Sequence, residues 1–123
     1  MGFPVTHFQI VTTDPERVST FYAQLCGWTV NDDNPLRYRQ LATNAGRGIE
    51  GGVWPAPPGA PTFVQLHVEV DDVARAIEKA VGLGGAVLVP LQMLPQGETM
   101  AVLRDPLGGS FVVHAPAPKR SAF

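Results

Sequence analysis

Apolar and polar positions alternate over Thr6-His7-Phe8-Gln9-Ile10-Val11 and again over Leu66-His67-Val68-Glu69-Val70. That period of two is the signature of a half-buried strand. The first stretch runs into Asp14-Pro15-Glu16, the second into Asp71-Asp72. His7 and His67 stand sixty residues apart, and Gln9 and Glu69 keep that offset. After a short deletion, Asp14 aligns with Asp72 and Leu25 with Leu83. The chain therefore reads as a duplicated module.

Each half predicts strand, helix and three strands. Asp14 is a good N-cap and Pro15 suits the first helical position. Val18, Phe21, Tyr22 and Leu25 recur at helical spacing as one apolar face, and Gly27 closes the helix. Strands are expected near 28–32, 36–42 and 48–54. Pro55-Ala56-Pro57-Pro58-Gly59-Ala60-Pro61 reads as a stiff connector. In the second half Asp72 caps a helix bearing Val73, Ala76, Ile77 and Ala80, ended by Gly84-Gly85. Strands follow near 86–91, 98–104 and 109–115, with a turn at Asp105-Pro106-Leu107-Gly108. The expectation is an α+β fold of two βαβββ modules. Module 1 covers about 1–54, the linker 55–61, module 2 about 62–116 and a tail 117–123.

Composition narrows the function classes. A chain of 123 residues suits one domain with a core, and its 13 glycines and 12 prolines exclude a helical bundle. Hydrophobic content of 45% with 16% charged residues excludes disorder. The net charge is −2 and the one adjacent basic pair is Lys119-Arg120, so no nucleic-acid footprint is present. No apolar run approaches the ~20 residues of a membrane span. The segment Met1-Gly2-Phe3-Pro4 does not open as a secretory signal, so a cytoplasmic location is expected. Cys26, alone in the chain, excludes an internal disulfide and is expected to be inert packing at a helix end.

The motifs Val5-Thr6-His7-Phe8, Phe21-Tyr22 with Cys26-Gly27-Trp28, His67-Val68-Glu69-Val70-Asp71-Asp72 and Asp105-Pro106-Leu107-Gly108-Gly109 occur in a telling order. In that order they resemble the vicinal oxygen chelate superfamily: glyoxalase I, bleomycin-resistance proteins, fosfomycin-resistance enzymes and extradiol dioxygenases. The resemblance implies that the two modules roll their mixed sheets into an open cup with helices outside. Metal enzymes of this kind place one ligand on each of four strands: His, Glu or Gln, His, and Glu. By resemblance His7 matches the first ligand, Glu50 the second and His67 the third. Val112 falls where the fourth glutamate would stand, a departure from the metal enzymes. A homodimer is also implied, because small two-module members commonly complete their cups across a two-fold interface.

The alternation of side chains puts His114 on the face of Val112, one pleat further along. All three histidines of the chain are thus candidate metal ligands together with Glu50. Imidazole and carboxylate suit zinc, nickel, iron or manganese. Gln9 and Glu69 share the faces of His7 and His67, and a desolvated Glu69 would serve as general base. Glu50 is the other candidate catalytic carboxylate. Arg37, Tyr38, Trp54, Met93 and Val112 join Gln9 as candidate ligand-binding residues, with Trp28 and Phe63 as further aromatic candidates. Two functions remain open. One is a divalent-metal-dependent lyase or isomerase acting on a small oxygenated metabolite. The other is a metal-free protein of the bleomycin-resistance type that binds an antibiotic or secondary metabolite.

Overall fold

The computed structural model describes residues 2–34 and 38–117. Within it the chain forms two compact units, one of Thr6–Leu66 and one that joins residues 1–5 to residues 67–123.

In the first unit, β1 (Val5–Thr12) leads to α1 (Pro15–Cys26), β2 (Thr29–Asn31), β3 (Arg39–Ala42) and β4 (Glu50–Pro55). The strands lie in the order β2-β3-β4-β1, with β1 and β4 parallel and the other pairs antiparallel. The Asp14 carboxylate accepts from the Arg17 amide at the helix start, and Gly27 ends the helix in the left-handed region at φ 75°. Ile10, Leu41 and Val53 form the core, with Phe8, Val18, Tyr22, Trp28 and Val30 packed against them.

The expected apolar face of α1 is only half used. Val18 and Tyr22 pack inward, whereas Phe21 is 57% and Leu25 68% exposed. The flank that meets the sheet bears Val18, Ser19 and Tyr22, and Ser19 is buried there, donating to the Glu16 carbonyl at 3.1 Å and accepting from Arg39 Nη1 at 3.5 Å. Cys26 corrects a second expectation: it is exposed rather than packed.

In the second unit, β5 (Phe63–Glu69) leads to α2 (Val73–Gly82), β6 (Ala86–Met93), β7 (Thr99–Arg104) and β8 (Ser110–Ala115). The first four residues of β5 belong to the Thr6–Leu66 unit. The strand order is β5-β8-β7-β6, with β5 and β8 parallel and the remaining pairs antiparallel. This is the same pattern as the first unit, strand for strand. Asp72 caps α2 by accepting from the Arg75 amide, and Gly85 N–H returns to the Ala80 carbonyl at 2.8 Å. Val70, Val73, Ala101, Leu103, Val113 and Ala115 form the core beneath α2. The β7–β8 turn closes as expected, with Gly108 N–H donating to the Asp105 carbonyl and the Asp105 carboxylate accepting from the Leu107 and Gly109 amides.

Candidate functional site

Both helices cover one face of their strands, and the three histidines occupy the other. In the first unit Phe8 and Ile10 of β1 and Val53 of β4 point to α1. The alternation then sends His7 and Gln9, with Glu50, Gly52 and Trp54, to the opposite face. The parallel register aligns His7 with Glu50, Gln9 with Gly52 and Val11 with Trp54.

His7 is half-buried, and its Nδ1 lies 2.7 Å from Thr6 Oγ1. Glu50 is exposed, and its carboxylate accepts from the Thr43 amide and, at 3.4 Å, from the Thr43 hydroxyl. Gln9 is buried and donates from Nε2 to Gln65 Oε1 at 3.0 Å.

Tyr38 is fixed by Asn34, whose side chain accepts from the Tyr38 amide at 2.9 Å and donates to its carbonyl at 2.7 Å. The phenol lies directly over Gly52, where any Cβ would collide with it, and its ring stands 5.7 Å from that of Trp54. Its hydroxyl is buried with no hydrogen-bond partner among the described residues, and burial pushes the phenol pKa up to about 12. Arg37 lies outside the described residues. Arg39 turns to Ser19 on the α1 side, and Trp28 stacks on Tyr22 at 5.5 Å within the core. Neither is placed to touch a ligand on the histidine face.

In the second unit Val68, Phe111, Val113 and Ala115 pack toward α2. His67, Glu69, Val112 and His114 therefore share the opposite face, with His67 in register with Val112 and Glu69 with His114. The His67 and His114 rings are 5.8 Å apart, and a donor nitrogen of each lies within 4.8 Å of the other. Two donors on one zinc, each about 2.0–2.1 Å from it, stand up to about 4.2 Å apart, so a small side-chain rotation suffices. The chemistry of this pair fits a divalent ion. Val112, in register with His67, is fully buried and offers no donor. Glu69 is half-buried and lines a cavity of about 470 Å³ with Phe3, Pro4, Val70, Asp71 and Pro116. Met93, at the end of β6, is 74% exposed and takes no part in this face.

Sequence reasoning missed Thr6, Thr43 and Asn34. Asn34 falls outside the expected strands and Thr43 sits three residues before Gly46, so only the register of the folded strands reveals what they hold.

A family profile described as a glyoxalase-like domain matches residues 7–114. "Putative glyoxylase CFP32" of Mycobacterium tuberculosis is 33% identical over 107 residues, as is its Mycobacterium bovis counterpart. These matches cover 80% of this chain, which spans 40% of the length of those relatives. Among solved structures, methylmalonyl-CoA epimerase from Mycobacterium tuberculosis superposes with a TM-score of 0.66 at 16% identity, covering 93% of this chain and 88% of that one. A variant of the Streptomyces coelicolor methylmalonyl-CoA epimerase, in complex with 2-nitronate-propionyl-CoA, gives 0.64 at 17% identity, covering 98% and 99%. The likeness to these two structures is one of fold. No helix among the described residues is long and apolar enough to cross a membrane.

Proposed function

Because the chain belongs to the glyoxalase-like domain family of the vicinal oxygen chelate superfamily, we propose that it is a divalent-metal-dependent lyase or isomerase acting on a small oxygenated metabolite. The observation that carries this reading is the pairing of His67 and His114 on one face of the parallel β5–β8 ladder. By resemblance His7 and Glu50, in register with each other across β1 and β4, are the further ligands of this reading.

Zinc, nickel, iron or manganese bound there supplies Lewis acidity toward a carbonyl or enediolate oxygen. The remaining work falls to the protein. Glu69 takes and returns a proton at its carboxylate, on the same face as the histidines. Gln9, Tyr38 and Trp54 orient the substrate: an amide, a phenol without a partner and an aromatic face. Val112 keeps an apolar, water-poor wall beside His67. The epimerases of similar fold take coenzyme A thioesters by name, and such esters are one class of oxygenated substrate to test. The same reading includes a homodimer in a cytoplasmic setting, with no nucleic-acid or membrane partner.

One observation favours a metal-free binder of an antibiotic or secondary metabolite. By resemblance Val112 falls at the fourth ligand position, while the Tyr38 hydroxyl, unpartnered among the described residues, and the Trp54 ring offer a polar and an aromatic contact.

Elemental analysis of untagged protein, with His67→Ala beside it, tests the two. The metal reading expects about one divalent ion per chain in the wild type and little in the variant, as loss of a ligand predicts. Substoichiometric metal in both proteins would overturn it and leave the binding protein.

A further inference from the structure

We propose that Thr6 is a positioning residue for His7, selecting Nε2 as the nitrogen that faces the metal. The inference rests on the metal reading above, and it concerns a residue that the ligand pattern does not include.

Consecutive side chains of a strand point to opposite faces, so neighbours in sequence do not ordinarily meet. Thr6 and His7 are consecutive in β1, yet Thr6 Oγ1 reaches His7 Nδ1 at 2.7 Å. The threonine hydroxyl must turn back along the strand to make this contact. Both residues are half-buried, which limits competition from water.

A neutral imidazole carries one proton and one lone pair, on different nitrogens. When Nδ1–H donates to Thr6 Oγ1, the lone pair is fixed at Nε2, the tautomer a metal requires there. A hydroxyl both donates and accepts, so Thr6 holds Nδ1 in either tautomer, and of the two only Nδ1–H gives Nε2 the lone pair a metal takes. It therefore keeps the ring in one orientation before and after the proton changes nitrogen. Hydrogen bonds to the second nitrogen of a ligating histidine set its tautomer and raise its basicity. Thr6 is built for that role.

The test compares wild type, T6V, T6S and H7A. Zinc affinity is measured by competition with a chromophoric chelator, and the ring nitrogens of His7 are followed by 15N NMR. T6V keeps the shape and loses the hydroxyl, and should bind zinc about 10–100-fold more weakly. T6S should retain wild-type affinity, and zinc-loaded wild type should show His7 coordinated through Nε2. Wild-type affinity in T6V, with affinity lost in H7A, overturns the role of Thr6 and leaves the metal reading standing. Coordination of His7 through Nδ1 overturns it as well. A wild type that binds no zinc overturns the metal reading and this inference together. If T6V does not fold, T6S and the wild-type NMR measurement still decide the matter.

Discussion

The two modules share one wiring diagram but spend it on different chemistry. His7 in β1 is in register with Glu50 in β4, and the equivalent pair in the second module is His67 and Val112. Two residues further along, Gln9 faces Gly52 in the first module while Glu69 faces His114 in the second. The donor at the first level of module 1 is thus a valine in module 2, and the glycine at its second level is a histidine. Packing diverges at the same places. Gly51 and Gly52 leave room for the Phe8 ring on one face and the Tyr38 phenol on the other, whereas Val113 and His114 carry side chains of their own at those positions. The lesson is that a repeated strand order conserves where side chains stand and leaves open what they do.

Exchanging residues between equivalent positions puts that lesson to the test. The largest effect is expected from Val112→Glu, which gives module 2 the carboxylate of module 1. Val112 is fully buried, so the metal-free variant should lose about 3–5 kcal/mol, the scale of an uncompensated buried charge. Zinc at about 100 times its dissociation constant should return about 2.7 kcal/mol. Urea unfolding with and without zinc reads both numbers, and a loss that zinc leaves untouched would mean that position 112 does not mirror Glu50 functionally.

A middle effect is expected from Gly51→Ala. In an ordinary strand this change stabilises by roughly 0.5–1 kcal/mol through reduced chain entropy. Here the new methyl would strike the Phe8 ring, itself packed 5.6 Å from Trp28, so a net loss of about 1–3 kcal/mol should appear. A gain in the unfolding midpoint would show that the Phe8 ring moves freely and that the glycine is not required for packing.

The smallest effect belongs to Tyr38→Phe. Removing a buried hydroxyl that has no partner should raise stability by about 1 kcal/mol. Its alkaline behaviour is the sharper reading. The phenol ionises near 12 in the folded chain, above its ordinary 10.0, so the unfolded chain releases its proton first. Wild-type stability from this group is therefore complete below about pH 10 and falls as pH rises toward about 12. The variant should lack that decline. Melts across the window, with absorbance titration of the phenols, decide it.

Much of the fold was legible because local chemistry and topology agreed. Asp14, Pro15 and Gly27 announce the bounds of α1, and Asp72 announces α2, through backbone groups a few residues away. The turn at Asp105 to Gly108 is equally local. The exposure of Phe21 and Leu25 was not legible, since it depends on which flank of α1 meets the sheet. The histidine positions were legible from alternation alone. Their partners were not: Thr43 reaches Glu50 across a hairpin, and Gln65 meets Gln9 from a distant strand. Hydrogen bonds between strands depend on register, and register is a property of the assembled sheet.

One unit is built from segments far apart in sequence: residues 2–5 join 67–117, and Pro4 lends its carbonyl to the Glu69 amide at 3.0 Å. On the ribosome this has a temporal meaning. The Thr6–Leu66 unit is complete once residue 66 has left the exit tunnel, whereas Pro4 waits for a partner made more than sixty positions later. Synthesis at about 5–20 residues per second makes that wait several seconds. During it the Pro4 carbonyl lacks the Glu69 amide, and the apolar Phe3 and Val5 beside it stay exposed.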